Sequence, residues 1–136
     1  MADPVRPVSE LTAAERADFL AQMRLSAFEE APLWEIAIGS VDLLTDRRVV
    51  HGPWRREDCS AVLVNWAAAG LLGVYRPAIA GQRDDYRLTA DEATTLLTDT
   101  AAWNDHGVGW LVVTENGERL TCAEWVAQAP DFGNRG

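Results

Sequence analysis

The chain has 136 residues, is 48% hydrophobic and 24% charged, and carries a formal net charge of -9. Those proportions fit one globular domain with a real core and leave no room for a second. They also exclude several classes: no stretch approaches the roughly 20 apolar residues of a membrane span, and Met1 to Pro7 lacks the apolar run of a signal peptide. A cytoplasmic protein is expected, and its acidic balance is the wrong sign for simple attraction to a polyanion. Cys59 and Cys122 stand too far apart for a metal knuckle, and two cysteines do not make the dense framework of a secreted miniprotein, so buried free thiols are expected. All 12 basic residues are arginine, which suits bidentate contacts, although the codon bias of a GC-rich genome explains it more simply.

In chain order, residues 1–8 read as a flexible, proline-punctuated tail, and Ser9 can cap a helix from about Glu10 to Glu30 with Phe19, Leu20, Met23 and Ala27 at helical spacing. Pro32 fits the first turn of a second helix, Leu33 to about Leu44, whose apolar residues cover most of its circumference. Gly39 inside it costs about 1 kcal/mol relative to alanine and marks either close approach of a neighbour or a local bend. Thr45 to Gly52 reads as a polar turn. Pro53 then opens a third helix, from about Trp54 to Ala69, and Gly70 closes it in the left-handed conformation. Leu71 to Tyr75 predicts a strand, Pro77 to Asp85 a loop, and Tyr86 to Leu88 the returning strand.

Ala-Gly-Leu-Leu-Gly-Val-Tyr-Arg at 69–76 and Tyr-Arg-Leu-Thr at 86–89 follow the order helix, glycine stop, strand, loop, strand. In that order the segment resembles the winged-helix, helix-turn-helix-like superfamily, over about a third of the chain. The resemblance implies that the third helix and the wing are presented to a partner. The chain departs from DNA readers in one respect: the segment between its second helix and the Pro53 helix is too short for an ordinary middle helix.

Beyond the wing, Thr89-Ala-Asp-Glu92 is a capping box that predicts a helix to about Trp103. Val108 to Thr114 is strand-like, and Asn116-Gly117 before Glu118 to Leu120 is the sequence's strongest hairpin signal. Thr121-Cys-Ala-Glu124 repeats the capping box before a short last helix ended by Pro130, and residues 131–136 read as a fraying tail. The predicted fold class is α+β: a single winged-helix-like domain over 9–130, with an N-terminal helix and an additional C-terminal β-hairpin and short helix.

Charge separates the regions. Residues 45–89 hold seven arginines against five acids, and the rest holds five against 16. Arg47, Arg48, Arg55, Arg56, Arg76, Arg83 and Arg87, with Trp54, are therefore the candidate contact residues for protein or DNA. On the DNA reading they flank the third helix and the wing; on the plainer one they pair with Asp46, Glu57, Asp58, Asp84 and Asp85 on a solvated face. Trp54 is either an interface anchor or a staple closing the helix start, while Trp34, Trp66 and Trp110 read as core and Trp103 and Trp125 as packing helices onto the sheet. No metalloprotease helix, nucleophile elbow or phosphate loop occurs. His51, Cys59, His106 and Cys122 have zinc-compatible chemistry without zinc-ligand spacing, and His51 reads as part of the turn before Pro53. No catalytic residue, metal or cofactor is assigned. The expected function is a non-enzymatic binding module acting through protein contacts with a partner or in a homodimer. The alternative is a DNA-binding regulator using the same arginines, and the third reading is a small-molecule-binding protein or enzyme.

Overall fold

Three Thr-x-x-Glu sequences start three helices in the computed structural model, which describes residues 5–76, 86–104 and 109–132. Thr12, Thr89 and Thr121 each accept an N–H from the glutamate three residues on, whose carboxylate takes the threonine N–H in return. They cap α1 (Ala13–Phe28), α4 (Ala90–Thr98) and α6 (Cys122–Ala127). Ser9, expected as the first cap, lies in a 3-10 turn, Val8–Glu10, and extended backbone at Leu11 separates that turn from Thr12. Phe19, Met23 and Ala27 of α1 are fully buried.

The helix predicted from Leu33 to Leu44 is a correction. Only one turn forms, α2 (Leu33–Ile36), and Gly39 then turns left-handed at φ 85°. Beyond it Ser40–Leu43 is β1 and Arg48–His51 is β2, paired antiparallel with Ser40 opposite His51 and Leu43 opposite Arg48. A side chain at Gly39 would put its Cβ 2.1 Å from the His51 carbonyl oxygen, so close approach is what that glycine serves. Pro53 lies after a cis peptide bond and ahead of the helix; α3 runs Arg56–Ala68, with Arg55 at the capping position.

Gly70 closes α3 at φ 80°, as the sequence predicts. The chain then forms β3 (Leu72–Arg76), centre of a three-stranded antiparallel sheet ordered β4-β3-β5, with β4 Tyr86–Arg87 and β5 Trp110–Val113. An antiparallel bridge between Pro32 and Trp110 adds one residue pair at the outer side of β5. The predicted helix to Trp103 is α4 followed by a 3-10 turn, Thr100–Asn104.

Asn116-Gly117 does not turn a hairpin. Thr114 caps a short helix, α5 (Glu115–Arg119), by accepting the Gly117 N–H, and the strand expected over Glu118 to Leu120 is absent. Tertiary packing overrides the turn propensity: a Cβ at Gly117 would lie 2.2 Å from the Leu71 carbonyl oxygen and 2.8 Å from the Trp125 ring. Trp125 in turn donates its indole N–H to the Gly117 carbonyl at 2.9 Å, and Trp66 donates to the Trp125 carbonyl at 2.8 Å with the two rings edge-on. Trp66, Trp103 and Trp125 are fully buried, whereas Trp34 and Trp110, also expected as core, are half-buried, Trp110 stacking on Tyr75. The architecture is a small α+β domain. Among the described residues no helix is long and apolar enough to cross a membrane.

Candidate interaction hairpin

The β1–β2 hairpin belongs to neither side of the β3 sheet. Alternation along its strands puts Val41, Leu43, Val50 and Arg48 on one face and Ser40, Asp42, Val49 and His51 on the other. An ordinary hairpin on a domain turns the apolar face inward. This one is inverted: Val41 is 49% exposed, Val50 59% and Leu43 78%, and Ile38 and Leu44 beside them are exposed as well. These make up five of the nine large apolar residues found exposed among those described, so the exposed apolar surface is concentrated here rather than scattered.

The inward face is held by charge. His51, its side chain 10% exposed, places Nδ1 2.9 Å from both carboxylate oxygens of Asp18 on α1 and Nε2 2.8 Å from Asp42 on β1. An ionised carboxylate only accepts, so this geometry favours the protonated ring, in which both nitrogens donate. The Asp18 hydrogen bond foremost, then that of Asp42, raises the His51 pKa above its ordinary value against the opposing effect of burial. Both ring nitrogens of His51 are thus engaged by carboxylates. At the hairpin base Gly52, φ 81°, lies against Gly39, and the Trp54 N–H reaches the Ala37 carbonyl at 2.9 Å.

The candidate contact residues predicted from sequence fall on separate elements. Arg47 and Arg48 form the exposed tip of the hairpin. Arg55 is exposed ahead of α3, while Arg56 is partly buried and donates to the Thr100 carbonyl at 3.3 Å and to Asn104 Oδ1. Arg76 and Arg87 are exposed on β3 and β4, with the Arg87 guanidinium lying over Gly73. Arg83 and His106 lie outside the described residues. Trp54 is 9% exposed and edge-on to Phe19, so its ring closes the core as a staple does. Asp58, an expected arginine partner, accepts the Val8 N–H at 2.9 Å instead.

The cysteines diverge: Cys59 is fully buried in α3, where desolvation drives its thiol pKa far up, while Cys122 is exposed, against the expectation of two buried thiols. Among the described residues no group of His, Cys, Asp and Glu is arranged to hold a metal ion. Sequence reasoning passed over the hairpin and its histidine because Ile36, Ile38 and Val41 also fit a helical stripe. The signal was present in the alternation Ser-Val-Asp-Leu and Arg-Val-Val-His around Thr45-Asp46. Comparison of the chain with known protein families, curated proteins and solved structures finds no match.

Proposed function

We propose that this chain is a non-enzymatic binding module of winged-helix type that works through protein contacts, and that the outward apolar face of the β1–β2 hairpin is its main contact surface. The observation that carries the proposal is the inversion of the hairpin: its charged face is spent on α1 and its apolar face meets water. The winged-helix comparison is supported by the succession α1, α2, α3, β3, β4, with the hairpin standing where the turn between the second and third helices would be.

The DNA alternative draws less support. Glu57 and Asp58 sit in the first turn of α3, where phosphate would have to approach, and Arg56 is engaged by the turn after α4. α4 also packs along α3, with Ser60 Oγ donating to the buried Leu97 carbonyl at 2.7 Å. That covers part of the helix surface a groove-reading domain leaves open.

A photo-crosslinking amino acid placed at Leu43, with Asn65 on the exposed side of α3 as the control position, tests the reading in cells that make the protein. Protein adducts are expected at Leu43 and not at Asn65. Equal labelling at the two positions, or salt-sensitive association with duplex DNA in its place, would overturn it.

A further inference from the structure

The chemistry of the hairpin narrows the kind of partner it fits. Leu44 N–H donates to the Arg47 carbonyl at 2.8 Å, closing the turn, and hydrogen-bonded and open pairs alternate from there in an antiparallel ladder. Asp42 opposite Val49 is thus a bonded pair, while Val41 and Leu43 direct their backbone N–H and C=O groups to the outer edge of β1. No strand among those described pairs with that edge. The same two residues place apolar side chains on the outward face, so edge and face form one continuous surface, the arrangement that recruits another strand.

Charge selects the strand. The hairpin tip carries Arg47 and Arg48 beside Asp46, whereas its base is flanked by Glu29 and Glu35, which line the groove running between α1 and Ser40 and Asp42 of β1. A basic hairpin tip, and acidic residues of α1's end and of α2 beside the hairpin base, are complementary to a copy of themselves laid antiparallel.

We propose that the occupant of this edge is the β1 strand of a second copy of the chain, paired antiparallel about Val41 to form a continuous four-stranded sheet. The inference rests on the hairpin being the contact surface. Centring on Val41 sets Ser40 opposite the copy's Asp42, a hydroxyl against a carboxylate, and avoids placing Asp42 opposite itself, where like charges oppose pairing. It also carries each Arg47–Arg48 tip towards the other copy's Glu35. The two-fold arrangement is isologous and closes at two copies.

Sedimentation velocity of the full chain over a rising concentration series tests this. A monomer–dimer equilibrium is expected, with the dissociation constant raised about tenfold or more by Leu43→Arg, the effect of replacing an apolar contact beside the two-fold axis with a charge. Circular dichroism on the same variant checks that the fold is kept, since Leu43 is 78% exposed. In a Cys122→Ser background, Val41→Cys should give a disulfide-linked dimer on mild oxidation, because bonded antiparallel pairs hold their Cα atoms about 5.5 Å apart. Val126→Cys, at another exposed apolar position, should not. A chain monomeric throughout the series, or a dimer indifferent to Leu43→Arg, overturns the proposal. If the chain is monomeric yet Leu43 crosslinks to a different protein, the second copy is wrong and the contact surface stands; if neither association nor crosslink occurs, both fall.

Discussion

Around β3, Leu72, Val74, Leu111, Trp66 and Trp125 surrender nearly all their surface to one another, and each buried indole N–H has a carbonyl to receive it. The β1–β2 hairpin, separated from β3 along the chain by α3, leaves Val41 49%, Val50 59% and Leu43 78% exposed and is fastened to α1 through one histidine between two carboxylates. One region is stabilised by removing side chains from water, worth about 1.5–3 kcal/mol for each large apolar group. The other relies on partly solvated ion pairs worth on the order of 1 kcal/mol or less. The contrast teaches that two segments of one small domain are held by different physics, one by burial and one by charge. Isolated hairpins are marginal in water, so an edge that is pinned by charge and left apolar on the outside suits an element completed by a partner.

The largest effect that would sharpen this contrast is expected on the core side. Trp66→Ala removes a fully buried ring and the hydrogen bond to Trp125, and should lower unfolding free energy by about 3–5 kcal/mol in denaturant titrations. Gly117→Ala comes next, since its Cβ would collide with the Leu71 carbonyl and the Trp125 ring; a loss of about 1–3 kcal/mol is expected by the same measurement. If Gly117→Ala were neutral, the helical turn at 115–119 would have room that the present packing denies it.

Smaller and local effects are expected on the hairpin side. His51→Gln should raise amide exchange at Asp42 and Val49, the bonded pair of the hairpin, by about tenfold or less, the scale of a solvent-accessible ion pair, and leave exchange in β3 and β5 unchanged. The pH dependence has a definite sign. A histidine whose pKa is raised on folding stabilises the folded state fully below its ordinary value near 6.5 and loses that contribution as pH rises through the raised value. Hairpin exchange should therefore quicken from mildly acidic to alkaline pH by more than the intrinsic exchange rate does, and Asp18→Asn, which removes the larger of the two raising contacts, should shrink the extra increment. The smallest expected effect is one of reactivity: Cys122 should react with a thiol reagent in the native protein, while Cys59 reacts only on unfolding.

How much of this could be read from the chain depended on whether a signal was local. The capping boxes at Thr89 and Thr121, the left-handed stop at Gly70 and the strands on either side of residues 77–85 were legible, because a cap, a glycine or an alternation carries its own geometry. Thr12 has the same box, but Ser9 offered an equally acceptable cap three residues earlier. Asn116-Gly117 misled because its turn preference is weak beside the packing of Gly117 under Trp125, a contact made across the fold. The hairpin at 40–51 was hidden by its inversion: apolar residues facing solvent resemble a buried helix when only their spacing is visible. The candidate contacts at Arg47 and Arg48 were found by charge, yet nothing local could show that Asp18, Asp42 and His51 meet.

The central claim is that Val41, Leu43 and Val50 serve contact and not the core. Urea unfolding of the triple variant Val41→Ser, Leu43→Ser, Val50→Ser, at protein concentrations too low for association, tests it most directly. The account predicts a midpoint and slope matching the unsubstituted chain. A lowered midpoint that corresponds to a loss of several kcal/mol of unfolding free energy, as three buried apolar residues would require, would contradict it.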